Sequence, residues 1–228
     1  MDKILKKTQE DYSIIASHFS EKRRFIWGDL KTFLKLIKPG DRVLDAGCGN
    51  GRLYRQVKAK KIDYLGIDFS KELLKIAKKQ NPKAKFKNGD LADEKTWQGL
   101  KNYDICFCLA VLHHFPTLGD QLNVLEHICK VLKPNGLLVI SVWNLWQKRF
   151  WKLHLEQVFW KIFKGFKFKW LLVPYKVADG RKIITQVNRF MYCFTNKELE
   201  NLLKKSGFKI FRRKIGNNFC FAVKNLGQ

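Results

Sequence analysis

The sequence predicts an α/β fold: a doubly wound, Rossmann-like parallel sheet, with helices added at its N-terminus and an aromatic, basic insertion near its C-terminus. Three observations predict it. Short apolar runs alternate with helical segments between Arg42 and Val142, the order of a parallel sheet with crossover helices. The first run opens into a glycine turn, Gly47-Cys48-Gly49-Asn50-Gly51. The first three runs close on acids, Asp45, Asp68 and Asp90.

Taken in order, residues 1–38 read as helices. One ends near Ile14, Ile15 and Phe19, and Ser20 can cap a second that runs to about Ile37. Pro39-Gly40 stops it. Arg42–Ala46 and Tyr64–Asp68 are strands, followed by a basic helix over Lys71–Gln80 and a weaker strand over Lys85–Asn88. Tyr103–Leu109 is a buried strand, and about Leu118–Val131 a helix. A turn at Lys133-Pro134-Asn135-Gly136 precedes a strand over Leu137–Val142. From about Trp143 to Thr185 the chain is aromatic and basic with little clean period. Thr195-Asn196-Lys197-Glu198 is a capping box that opens a helix ending at Ser206-Gly207. Phe208–Lys214 and Phe219–Lys224 are strands joined by the turn Gly216-Asn217-Asn218.

A chain of 228 residues fits a single domain. Its expected parts are a helical cover over 1–38, a core over 39–142, an insertion over 143–190, and a C-terminal helix and strands over 191–228. Hydrophobic residues make up 46% and aromatic residues 14%, which excludes a disordered chain. Lys and Arg total 45 against 20 acids, a net charge of +25. So basic a balance suits an acidic partner, nucleic acid first and an anionic membrane second, or else a Lys-rich solubilising surface. The six cysteines show no C-x-x-C spacing, so no metal site is expected. They read as reduced, cytoplasmic thiols, with Cys106 and Cys108 buried in a strand. The first residues are too polar for a signal peptide, and no run is long enough to span a membrane.

The turn after the first strand carries the chemistry. Gly47, Gly49 and Gly51 let the chain bend sharply and a ligand approach the backbone closely. Glycines alone would also suit a dinucleotide, but Asp45 just before them would repel a pyrophosphate and attract an ammonium group. Asp68 at the end of the second strand can accept two ribose hydroxyls. Asp90, in Gly89-Asp90-Leu91, can accept an adenine amino group. Any one of these acids is an ordinary strand-end residue; the three in this order fit S-adenosylmethionine. Phe69, Leu91 and Ala110 complete the expected cofactor contacts.

This order of motifs resembles the class I methyltransferases over roughly residues 38–142. The resemblance implies a seven-stranded sheet with an antiparallel last strand, which the C-terminal hairpin can supply. A narrower resemblance is to the eukaryotic tRNA wobble-uridine carboxymethyl methyltransferases. It rests on Tyr12, Ile15-Ala16-Ser17-His18-Phe19-Ser20, Arg23 and Trp27, on His113-His114, and on Val142-Trp143 with Gln147. It continues at Val173-Pro174-Tyr175, Arg189–Phe194, Glu198-Leu199-Glu200 and Gly216–Cys220. Phe69, Phe115, Tyr175 and Cys193 depart from that family's usual residues.

The resemblance implies esterification of a carboxymethyluridine carboxylate in the anticodon loop. A carboxylate is already nucleophilic, so positioning and dehydration matter more than a base. Arg23 and Arg189 are candidates to locate the anion, with Tyr192 as a hydrogen-bond partner. His113 or His114 is a candidate donor or base.

In the insertion, Lys148, Arg149, Lys152, Lys161, Lys164, Lys167, Lys169, Lys176, Arg181 and Lys182 face only Glu156 and Asp179. Trp151, Phe159, Trp160, Phe163, Phe166, Phe168 and Trp170 interleave with them. That composition suits an anticodon loop, a peripheral contact with anionic lipid, or a lid over the acceptor. Beside tRNA, the expectations leave room for a small activating protein subunit. The alternative reading is methylation of a lipid or quinone precursor.

Overall fold

The strand β1 (Arg42–Ala46) lies between β2 (Asp63–Asp68) and β4 (Tyr103–Leu109), parallel to both. In the computed structural model, described for residues 3–227 except 24, 26, 27, 164, 166, 180 and 181, it belongs to a seven-stranded sheet. Outward on one side come β2 and β3 (Lys85–Asn88). On the other come β4, β5 (Leu132–Trp143), β9 (Asn218–Asn225) and β8 (Phe208–Ile215), with β9 antiparallel to both β5 and β8. The central strands are apolar almost without interruption, because helices cover both faces. The reversal of strand order at β1 and β4 opens a crevice at the carboxyl ends of the strands, where ligands sit in such sheets.

The helices follow from local signals. α1 (Lys3–Lys22), α2 (Gly28–Lys31) and α3 (Arg52–Val57) precede α4 (Lys71–Gln80), whose N-cap Ser70 accepts from the Leu73 amide. α5 (Leu118–Val131) is capped by Thr117. α6 (Trp151–Glu156) and α7 (Val158–Phe163) lie in the insertion, and α8 (Asn196–Lys205) begins at the expected Thr195–Glu198 capping box. All six cysteines are free and buried. Among the described residues, no helix is long and apolar enough to cross a membrane.

Several expectations are corrected. Ser20 does not cap a second helix: α1 runs through it, and its buried Oγ accepts from Asn50 Nδ2 at 2.9 Å. Among the described residues of the stretch to Ile37, the helical elements are α2 and a short 3-10 turn, Phe33–Leu36. The turn at Lys133–Gly136 is a bulge within β5: Tyr103 pairs with Leu132 but Ile105 with Leu137. The insertion is not irregular throughout. It contains a separate antiparallel hairpin, β6 (Trp170–Asp179) and β7 (Lys182–Tyr192). Its alternation is muted because only the base of the hairpin is buried, and Pro174 is tolerated because each strand is an edge. Trp27, Lys164, Phe166 and Arg181 lie outside the described residues.

Candidate active site

Two imidazoles and two tyrosine hydroxyls fasten the added elements over the crevice. His114, after β4, has Nδ1 2.9 Å from the Phe190 carbonyl and Nε2 3.0 Å from the Tyr12 hydroxyl. The carbonyl can only accept, so Nδ1 carries the proton and Nε2 accepts from Tyr12. One neutral ring thereby ties α1 to β7. Burial pushes the His114 pKa down to about 4. His18 Nδ1 meets the Tyr175 hydroxyl at 3.1 Å, a second tie between α1 and the hairpin. Asn50 donates to Ser20 and to the Arg23 carbonyl, which joins α1 to the glycine turn.

The result is a cleft at the carboxyl ends of the strands. Gly47, Gly49, Asp68, Phe69, Asp90, Leu91, Ala110 and His113 line it as the sequence predicts, as do Arg23 and Arg189. Each glycine does a different job. A Cβ on Gly47 would stand 2.2 Å from Val111 Cγ2, so no side chain fits. A Cβ on Gly49 would meet nothing within 4 Å: the backbone there faces open cleft. The Gly49 amide donates to Asp68 Oδ2 at 2.8 Å and the Ser70 amide to Oδ1 at 2.9 Å. Burial nevertheless raises the Asp68 pKa to about 6. Asp90 accepts from Gln9 at 3.2 Å and from the Ala92 amide at 2.9 Å, and retains lone pairs for a further donor. Ala110 takes a left-handed φ of 60°, uncommon for a residue with a Cβ, where β4 turns into the cleft.

Three predicted site residues stand elsewhere. Gly51 is outside the cleft lining; a Cβ there would strike Asn81 Nδ2 at 2.7 Å and Phe86 Cζ at 3.0 Å, so its glycine serves packing. Asp45 is also outside the lining, 2% exposed, and accepts from the Tyr64 hydroxyl at 2.7 Å. Burial raises its pKa to about 7. Tyr192 donates to Glu198 at 2.9 Å and does not line the cleft; the capping acid of α8 has taken its hydroxyl.

Arg23 and Arg189 do converge. The Arg23 guanidinium lies 5.5 Å from the Trp143 ring and that of Arg189 5.4 Å from the same ring. Arg189 also packs 4.9 Å from the Tyr175 ring. It is 3% exposed, and its Nε and Nη1 have no hydrogen-bond partner among the described residues. Burial and the Arg189 charge both lower the Arg23 pKa. His113 is buried in the cleft lining, 6.0 Å from the Trp143 ring, its pKa held well below the usual value by burial, then by His114 and Arg189. The Trp143 amide approaches its Nδ1 at 3.4 Å, which leaves the proton of the neutral ring on Nε2, a donor.

Sequence reasoning missed Arg52, Trp143 and Tyr12 as lining residues. Arg52 follows the last glycine of the turn, and that position was the available signal. Its pKa is lowered to about 10 by burial first and then by Arg23, so it stays charged at neutral pH.

The strand order, with a glycine turn and strand-end acids lining the cleft, is that of a class I methyltransferase. The chain belongs to the methyltransferase domain family, which it matches over residues 19–212. A mouse tRNA (carboxymethyluridine(34)-5-O)-methyltransferase is 32% identical over 143 residues, 63% of this chain and 21% of that protein. The fission yeast enzyme of the same name is 31% identical over 138 residues, 60% of this chain and 57% of that protein. The chain therefore spans less than two thirds of either relative. Among solved structures, a SAM-dependent methyltransferase from Methanosarcina mazei superposes with a TM-score of 0.69 at 22% identity. It covers 87% of this chain and 98% of its own. A magnesium protoporphyrin IX methyltransferase from Synechocystis, solved with S-adenosylhomocysteine, gives a TM-score of 0.58 at 18% identity, covering 99% and 88%. These likenesses concern the fold.

Proposed function

We propose that this chain transfers the methyl group of S-adenosylmethionine to the carboxylate of a carboxymethyl group on a tRNA wobble uridine. The observation that carries the reading is Arg189: a buried guanidinium at the cleft with two nitrogens lacking hydrogen-bond partners among the described residues, beside a second arginine. Two adjacent cations in a dry site are stable together when an anion sits between them. The names of the relatives that are about a third identical supply the acceptor class.

The cofactor, when bound, supplies an electrophilic methyl group on a sulfonium. Asp68 would accept the ribose hydroxyls and Asp90 the adenine amino group, while the Gly49 backbone would allow close approach. Arg23 and Arg189 hold the acceptor carboxylate, and Trp143 and Tyr175 fix the guanidinium planes. The chemistry the cofactor would supply is transfer of its methyl carbon to a carboxylate oxygen with loss of the carbon–sulfur bond, which would require no proton transfer from Arg23, Arg189 or His113. His113, neutral with Nε2–H, acts as a donor that orients the acceptor.

The test is single-turnover methylation of two tRNAs, one with a carboxymethyl group at the wobble uridine and one without the carboxylate. Methylation of the first alone is expected, with an ester released by mild base. Equal methylation of both would overturn the carboxylate as acceptor.

A further inference from the structure

The two insertion helices are inside out. α6 and α7 run on through Gln157, whose amide reaches the Leu153 carbonyl at 3.3 Å and whose own carbonyl takes the Lys161 amide at 3.1 Å. Apart from Leu153, which packs against the cluster around Leu145 and Val173, the side chains that dock this rod on the body are polar. Gln157 donates to the Leu172 carbonyl at 2.8 Å and accepts its amide at 3.0 Å, as a neighbouring strand would. His154 donates from Nε2 to the Leu145 carbonyl at 3.0 Å, which leaves Nδ1 to face Lys161 Nζ at 3.4 Å. The opposite face is apolar and turned to solvent. Trp151, Leu155, Phe159, Ile162 and Phe163 recur at helical spacing, with Leu155 72%, Ile162 66% and Phe163 68% exposed. A helix on a protein surface normally presents the reverse pattern, and apolar surface so arranged marks a contact.

From this juxtaposition we infer that the α6–α7 face binds the surface of an anionic lipid bilayer. Charge and side-chain type select that occupant. Lys148, Arg149 and Lys152 are exposed around the start of the stripe and Lys167 follows its end, whereas Glu156 is the one acid within the two helices. A second copy would bring the same cations onto themselves, in a chain that already carries +25. Unpaired bases would use the aromatic rings and the lysines but not Leu155 and Ile162, which neither stack nor bind phosphate. A bilayer interface uses all of them: aliphatic and aromatic side chains enter the acyl boundary, and Lys and Arg meet the headgroups. The rod lies flat, since neither helix is long enough to span.

The experiment is co-sedimentation of the full chain with phosphatidylcholine vesicles, either pure or containing about a third phosphatidylglycerol. Strong partitioning is expected onto the anionic vesicles and weak partitioning onto the pure ones. Replacing Leu155, Phe159 and Phe163 together by Ser should cut partitioning by about tenfold or more, the loss of three buried apolar anchors. S-adenosylhomocysteine binding, measured in parallel, should be unchanged and reports an intact fold. Lys148→Glu with Lys152→Glu should also weaken binding, and added salt should do so for the wild type. Three results would overturn the inference: no partitioning of the wild type, equal partitioning of the serine variant, or a wild-type dimer that the serine variant dissociates without change on vesicles. Loss of affinity for unmodified tRNA in the serine variant, with vesicle binding kept, would instead assign the face to RNA. None of these readouts depends on the acceptor.

Discussion

Arg23 and Arg189, far apart in the sequence, hold their guanidinium groups at 5.5 and 5.4 Å from a single ring, that of Trp143. One sits just past the end of α1 and the other on β7, and neither position alone indicates a common target. The two segments are brought together by the His114 bridge from Tyr12 to the Phe190 carbonyl.

An unsatisfied buried cation costs stability that binding recovers. Arg189→Met should therefore raise Tm by roughly 2–4 °C, about 1 kcal/mol in a domain of this size. It should also slow methyl transfer about 100-fold, the cost of roughly 3 kcal/mol of charge-assisted binding. Arg189→Lys should rescue poorly, because an ammonium lacks the planar fork. A variant that is both less stable and fully active would remove Arg189 from the site.

The glycines separate folding from binding. Gly47→Ala forces a Cβ into Val111 and should destabilise the chain by several kcal/mol, on the scale of overpacking plus backbone strain. Gly49→Ala meets open cleft at φ +53° and should cost only about 1 kcal/mol of stability while weakening S-adenosylhomocysteine at least about tenfold. Thermal denaturation and calorimetry on the two variants read the difference; equal effects on both properties would contradict it.

Asp45 gives a pH test. Its folded pKa is raised to about 7 from an ordinary 3.8, so the folded chain holds a proton that the unfolded chain releases. This contribution to stability is complete below pH 3.8 and is lost as pH rises through 7. Asp45→Asn, which can still accept from Tyr64, escapes that loss. Its Tm relative to wild type should rise between pH 5 and pH 8, by an amount on the order of 2–4 kcal/mol in stability. A difference independent of pH would show that Asp45 is ionised throughout.

The methyl-transfer rate should be flat from about pH 6.5 to pH 8.5. An ionised carboxylate acceptor needs no base there, and both histidines beside the cleft are neutral across the window, since burial lowers their pKa values. A single-turnover rate that climbs tenfold per pH unit below about 7 would instead make a histidine the base. His113→Gln, which keeps a donor, should retain more activity than His113→Leu.

Local patterns were enough to read much of this protein from its sequence. The bounds of β1, β3 and β4, the glycine turn, α4, α5 and the capping box of α8 all rest on residues within a few positions of one another. So did the positions of Gly47, Gly49, Asp68 and Asp90 in the cleft lining, since each strand end is set by its own strand. Tertiary structure decided the rest, because side-chain direction depends on packing from distant segments. Asp45 belongs to the same motif as Gly47, yet Tyr64 on the neighbouring strand claims its carboxylate. Tyr192 follows the catalytic candidate Arg189 closely, yet Glu198 takes its hydroxyl. Ser20 reads as a cap until Asn50 arrives to bury it. The β6–β7 hairpin and the inverted α6–α7 rod escape local reading for the same reason: their faces are assigned by what they dock against, and periodicity records only that faces exist.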